Sequence, residues 1–200
     1  LTSNDERFMA TYSYENYGGY RYHSQEYQSR FNSIYEADLN PVSTISIYGY
    51  YVNGLIKLPG SLTLQQYNEN YLQANPRDAS RDAKRISNKG RLGITYNTKF
   101  GKNYNNFLEV TGYGTIKDLT RTAATYRIFT RYGVGSNFRF INQSRIAGRS
   151  NEFSVGGDFY YQTGPINEFN NIGGIRGDEL QAITDETISN IGFYFTEQYY

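Results

Sequence analysis

The sequence predicts an all-β fold: an antiparallel, up-and-down sheet of about eight long strands, forming a segment of a transmembrane β-barrel with long loops at one end. Three observations carry this. Apolar and polar residues alternate in about eight stretches, which is the period of a strand with one greasy and one polar face. The 200 residues include 22 Tyr, 12 Phe and 20 Gly but only 4 Pro and no Trp, a mix that favours strands joined by turns. The alternating stretches run to about 10–14 residues, against ~5–6 in globular sheets, and a tilted strand of ~9–11 residues crosses a bilayer.

The bulk properties narrow the field. A net charge of +1 gives no global field towards nucleic acid or an acidic surface. The absence of Cys excludes a disulfide framework and a thiolate metal site. Mean hydropathy is −0.69, and no apolar run approaches the ~20 residues of a membrane-spanning helix. That excludes a helical membrane protein. It does not exclude a barrel, whose alternating strands average to a polar value. The opening "LTSNDERFMA" lacks the basic start and apolar stretch of a secretory leader. The chain is therefore expected to be either cytosolic or an internal piece of a longer protein.

Taken in order, residues 7–14 place Phe8, Ala10, Tyr12 and Tyr14 on one face. Residues 27–39 set Tyr27, Phe31, Tyr35, Ala37 and Leu39 against Gln28, Arg30, Asn32, Glu36 and Asp38. Asn-Pro in 40–43 marks a tight turn. Residues 44–58 follow with Ile45, Ile47, Tyr51 and Leu55 in phase. The polar stretch 59–88, with Pro59 and Pro76, breaks the pattern, with room for a short helix over Leu64 to Leu72. Residues 91–100 restore the period with Leu92, Ile94, Tyr96 and Phe100, and 101–103 turn the chain. Strands are expected at 104–117 and at 126–141, where Ile128, Tyr132, Val134, Phe138 and Phe140 oppose Arg127, Arg131, Asn137 and Arg139. After a turn at 147–151, Phe153, Val155, Phe159 and Tyr161 face away from Glu152, Ser154, Asp158 and Gln162. A second long irregular segment is expected at 164–187, before a last strand at 188–200.

Two consequences follow. Tight links (40–43, 101–103, 147–151) alternate with longer ones (15–26, 59–88, 118–125, 164–187), so an up-and-down meander has one short-turned end and one long-looped end. The apolar face is rich in Tyr and Phe, many near strand ends, such as Tyr14, Tyr27, Tyr96, Phe100, Tyr161 and Tyr199. A tyrosine at headgroup depth keeps its hydroxyl wet and its ring in hydrocarbon, forming an aromatic girdle. A sandwich core, which must interdigitate, favours compact Val, Ile and Leu. Two alternatives stay open: another outer-membrane barrel such as a porin or adhesin, and a soluble all-β carbohydrate-binding module.

At 58–85, "LPGSLTLQQYNENYLQANPRDASRDAKR" resembles the extracellular-loop segment of TonB-dependent outer-membrane receptors of the ferric dicitrate and siderophore type, with a Pro-Gly-x-Leu-Thr start and an Asn-Pro-Arg-x-Ala element. "GGYRYHSQEYQSRF" (18–31), "NEFSVGGDFYYQTGPINEFNN" (151–171) and "DETISNIGFYFTEQYY" (185–200) resemble further barrel segments of that family. The resemblance runs across nearly the whole chain. It implies a barrel of about 22 strands closed by an N-terminal plug, of which residues 1–200 would be an internal piece without plug or remaining strands. It implies a Gram-negative outer-membrane location, with lipid, a ferric chelate and, through the plug, the TonB complex as partners. No nucleic acid and no cofactor are implied, iron being only part of the cargo.

No catalytic role is expected. His23 is the only histidine, and a surface histidine is the plain reading against a Ser-His-Asp arrangement. Asp178, Glu179, Asp185 and Glu186 read as solvated loop charge rather than a metal site. The candidate ligand-binding residues are loop residues: Arg77, Arg81 and Arg85, with Lys84 beside them, then Arg176, flanked by glycines, and Tyr67, with Tyr71. An anionic chelate needs positive donors, and arginine's fork matches carboxylate oxygens two at a time. The competing reading is that Asp78 and Asp82 pair with the arginines locally, and that the tyrosines only anchor the loop. On the polar face, Arg91, Arg127, Arg131 and Arg139 are expected to form a ladder with Glu109, Glu152 and Asp158.

Overall fold

A computed structural model describes residues 5–200; the first four residues of the opening stretch read for a leader lie outside them. The described residues form one antiparallel sheet of eight strands in sequence order. They are β1 (Glu6–Tyr17), β2 (Glu26–Asn40), β3 (Ser43–Lys57), β4 (Lys84–Phe100), β5 (Asn106–Thr122), β6 (Thr125–Ile146), β7 (Arg149–Ile172) and β8 (Ile175–Tyr199), with short helices α1 (Leu64–Glu69) and α2 (Pro76–Ser80) between β3 and β4.

No second layer covers the sheet. Among the described residues the buried hydrophobics are only Ala74 and Ala83, while Phe138 is 38% and Phe193 74% exposed. A soluble sandwich hides such rings between two sheets, so the sandwich alternative is excluded. Register then shows what the apolar face is. One cross-strand row runs Phe8, Tyr35, Ile47, Ile94, Gly112, Ser136, Phe159, Ile191. Four residues higher on the same face, the row Tyr12, Phe31, Tyr51, Gly90, Ile116, Tyr132 is aromatic-rich. The next row is polar: Ser29, Asn53, Asn88, Asp118, Thr130. The apolar band on β5 runs from Leu108 to Ile116, about nine residues, which is the span of a tilted strand through hydrocarbon. At its upper edge the Tyr51 hydroxyl donates to Asn88 Oδ1 (3.2 Å), keeping its polar end in the wet row. At the lower edge Phe100 packs 6.3 Å from Phe140. Tyr161, expected in the girdle, instead faces Val134 one row inside the band.

The other face is held by a different device. The row Tyr48, Gly93, Tyr113, Gly135, Tyr160 alternates tyrosine and glycine across β3 to β7. The ring of Tyr48 lies where a Cβ on Gly93 would be, and the ring of Tyr113 lies over Gly135 in the same way. Each glycine is thus required by a ring resting on bare backbone, an arrangement that pins register. Tyr113 stacks on Tyr160 (6.3 Å), and the Arg91 guanidinium sits 4.6 Å from the Tyr113 ring centre.

The short-turned end comes out as expected, with links Pro41–Val42, Gly101–Asn105 and Ala147–Gly148. The other end departs from expectation. The segment 164–187 is not irregular: it is the upper half of a β7–β8 hairpin closed by Gly173–Gly174 alone. Both glycines have positive φ (59° and 88°), the requirement of a tight primed turn, and Ile172 pairs with Ile175 across it. The polar, Gly- and Pro-containing sequence disguised this because the hairpin stands above the lipid band, where greasy alternation is not needed. Likewise 118–125 is mostly strand, turned by Ala123–Ala124, and β4 begins at Lys84 rather than near 91. The strands reach 25 residues in β8, longer than expected. The helix expected over Leu64 to Leu72 ends at Glu69, capped by a Thr63–Gln66 box, and α2 is additional, started by Asn75 and Pro76.

Candidate functional site: the loop rim and the polar wall

The long-looped end is tied together by one connection. The 26-residue stretch between β3 and β4 reaches three neighbours. Towards the β1–β2 link, Tyr22 N donates to Leu72 O (2.8 Å), and the Arg21 guanidinium donates to Gln73 O (2.8 Å) and Gly60 O (3.1 Å). Towards β5, the fully buried Thr122 donates its hydroxyl to Asp82 O (2.6 Å) and accepts from Lys84 N (3.0 Å). Towards the β7–β8 hairpin, Asn171 Nδ2 donates to Arg81 O (2.9 Å) and Ala123 O (2.7 Å).

The charged centre of this rim is Asp82. It accepts from Lys57 Nζ (2.6 Å) and Lys84 Nζ (2.5 Å), and His23 Nε2 lies 3.8 Å away. His23 is no surface histidine: its side chain is mostly buried, its φ is 59°, and its Nε2 is 2.9 Å from Ala83 O. Burial pulls the Asp82 carboxyl upward, but the hydrogen bonds from the two lysines outweigh it and hold the group below the ordinary carboxylate range. A carboxyl depressed in the folded state stabilises fully above its unfolded value, and that contribution disappears as pH falls through the folded value. Acidification below about pH 4 is therefore expected to release the loop. Asp82→Asn should do so at neutral pH, weakening the local closure by about 1–3 kcal/mol. Amide hydrogen exchange over residues 72–84 reads both effects; unchanged protection in the variant would remove Asp82 as the clasp.

The sequence-predicted residues do not form one cluster. Arg77 lies on α2 and Arg81 caps its end. Arg85 is the second residue of β4, opposite Arg121 on the polar face, rather than in the loop. The expected local pairing with Asp78 and Asp82 does not form: among the described residues Asp82 takes Lys57 and Lys84 instead. Tyr67 and Tyr71 pair at 6.3 Å in an open cleft of about 560 Å³ shared with Tyr20, Arg21 and Leu64. Arg176 stacks its guanidinium 5.0 Å from the Phe169 ring on the tall hairpin.

Of the expected arginine ladder one pair forms, and Arg91 rests on the Tyr113 ring instead of an acid. Arg139 meets Glu109 at 3.6 Å, but Arg127 pairs with Glu168 (2.9 Å) and Arg131 with Glu186, both acids from the stretch expected to be loop. Glu152 accepts from Gln143 (2.9 Å) and Asp158 from Asn190. Asp178, Glu179, Asp185 and Glu186 are strung along β8, and the described residues hold no group of three potential metal ligands. Lys89, Lys117 and Arg121 were missed, although they stand at the alternating positions that mark the polar face.

A single sheet with a lipid-width apolar band and a polar wall has the form of one arc of a large barrel, and comparison with solved structures shows which barrels share this fold. The chain matches the ferric citrate transporter FecA in its unliganded form with a TM-score of 0.81 at 13% identity, over 99% of this chain and 31% of that one. The fold is that of a TonB-dependent receptor barrel. It also matches Pseudomonas aeruginosa FpvA bound to heterologous pyoverdines (TM-score 0.78, 12% identity, 96% and 30% covered). A third match is the ferripyoverdine receptor of the P. aeruginosa outer membrane bound to ferripyoverdine (0.70, 17%, 98% and 31%). The chain thus spans about a third of the length of the receptors it matches. No family model and no curated protein matches the sequence. In the receptor-barrel frame the apolar face meets lipid, the tyrosine–glycine wall lines the lumen, and the rim around Asp82 is the long-looped end.

Proposed function

We propose that this chain is part of the barrel of an outer-membrane receptor that imports a ferric siderophore or ferric citrate-like chelate in a TonB-dependent manner. The observation that carries the reading is the lipid-width band on a sheet that superposes on a ferric citrate transporter at a TM-score of 0.81. The role is transport: the wall and rim present donors and rings for a cargo, and iron enters as part of that cargo. The outer sides of β1 and β8 carry no strand partner among the described residues. Unpaired backbone is not tolerated in hydrocarbon, so this reading calls for further strands to complete the barrel.

The rim and wall arginines are the proposed ligand contacts. Replacing Arg77, Arg81 and Arg85 together by Ala in the full receptor should weaken chelate binding at least about tenfold, given about 1.5–3 kcal/mol for one charge-assisted hydrogen bond. Unchanged affinity would remove them from the site. The reading itself is tested by radiolabelled ferric-chelate uptake in cells with and without the receptor. Import that vanishes when the receptor or the proton-motive force is removed supports it. Import that survives loss of the proton-motive force identifies a passive pore.

A further inference from the structure

We propose that the four connections at the long-looped end of this arc form one latched body that opens in a single step, with the turn of the β7–β8 hairpin as the latch. The inference concerns the rim itself and holds whatever the cargo. All the contacts that carry it lie within β1 to β8 and their connections.

Three consecutive residues meet all four connections. Arg81 O accepts from Asn171 Nδ2 of the hairpin (2.9 Å). Asp82 O accepts from Thr122 at the top of β5 (2.6 Å), and the Asp82 side chain fills the space over Gly174. Ala83 O accepts from Leu58 N (2.8 Å) and lies 2.9 Å from His23 Nε2 of the β1–β2 link. His23 and Asp82 both hold a positive φ, 59° and 45°. Residues other than glycine keep that conformation only where their surroundings fix it. The burial is concentrated here too. Ala74 and Ala83, the buried hydrophobics among the described residues, lie in this rim beside the fully buried Thr122.

The hairpin turn is shaped for its seat. Asn171 Nδ2 donates to Ala123 O (2.7 Å) as well as to Arg81 O, and Asn171 Oδ1 accepts from Gly174 N (2.8 Å). One amide thus joins the β3–β4 stretch, the β5–β6 turn and its own turn. A Cβ on Gly174 would lie 2.6 Å from the Asp82 Cβ, so the seat admits only glycine. The hairpin also has the length the seat needs. Asn170 pairs with Thr125, so the Gly173–Gly174 turn stands just above Ala123–Ala124 and closes over it.

Such a cluster does not come apart loop by loop. Lifting one connection leaves buried donors and acceptors of the others unpaired, Thr122 first among them, and each orphaned group adds its own penalty. Elements that share a buried centre in this way open together. Anything that enters at the long-looped end therefore meets this arc either closed or open as a whole.

Amide hydrogen exchange of the full receptor in detergent tests this, read over residues 18–25, 72–84, 121–125 and 170–176. Asn171→Ala removes the two bonds from the latch to its neighbours and should speed exchange about tenfold in all four stretches. The decisive stretch is 18–25, where Tyr22 N bonds Leu72 O, far from the substituted amide in the chain of contacts. Arg21→Ala acts from the opposite end by removing the bonds to Gln73 O and Gly60 O. It should speed 170–176 by the same factor as 18–25, because coupling between two ends of one body is reciprocal. Exchange over 108–112, inside the lipid band, should stay as it was, which shows an intact barrel. The proposal is overturned if Asn171→Ala speeds exchange in 170–176 alone or nowhere, or if Arg21→Ala loosens 18–25 and leaves 170–176 protected. Should one variant also loosen the band, the other decides.

Discussion

Ile94→Arg is expected to remove about 2–4 kcal/mol from the stability of the membrane-inserted barrel, the cost of placing a guanidinium at the bilayer midplane on the lipid face. Ile94 lies in the middle row of the apolar band, between Ile47 and Gly112. Its side chain has no protein layer above it and is 45% exposed in the sheet. Asn137→Arg is the control. Asn137 neighbours Ser136 of the same row but belongs to the opposite face, between Thr111 and Asp158. An arginine there meets the aqueous lumen and a nearby carboxylate, so its effect should stay within about 0.5 kcal/mol. Urea unfolding of the receptor from lipid vesicles measures both. Equal losses at the two positions would mean that the band does not face hydrocarbon.

The second large effect is Gly135→Ala, expected to cost about 1–3 kcal/mol through overpacking. A methyl at Gly135 overlaps the end of the Tyr113 ring. To escape, the ring must lift, leaving its stack on Tyr160 and withdrawing from the Arg91 guanidinium. A double-mutant cycle isolates the cause. Tyr113→Ala removes the obstacle, so Gly135→Ala made in that background should cost only the few tenths expected of an unstrained site, a coupling of at least about 1 kcal/mol. Additive losses would mean that the glycine is needed for some other reason. Because the substituted atoms lie on the lumen face, the lipid band is left intact and the readout reports wall packing alone.

Much of the fold was legible because lipid imposes a strict period. Wherever a strand crosses hydrocarbon, as in Phe138–Phe140 or Phe153–Tyr161, every second residue must be greasy, and the pattern shows in the letters. Above the band that pressure ends, and legibility ended with it. The upper β7–β8 hairpin carries Asn, Glu and Asp on both faces and a Gly-Gly pair, so it reads as loop although its two strands pair up to the turn, with register shifts around Phe169. The site was harder still. Arg77, Arg81 and Arg85 are near in sequence, yet a strand start at Lys84 separates the last from the first two. The clasp on Asp82 joins residues from three separate stretches, His23, Lys57 and Lys84, and no local spacing rule links positions 23 and 82. The cation rows on β4 to β6 became visible only once register placed Lys89 beside Lys117 and Arg121 beside Arg127.

The tyrosine rings that lie over glycine backbone turn five adjacent strands of the inner surface into one aromatic shelf, with the Arg91 guanidinium resting on it. Because Gly93 and Gly135 are covered by their neighbours' rings, the space beside each tyrosine is filled from within the wall, and the shelf presents ring faces to whatever lies inside the barrel.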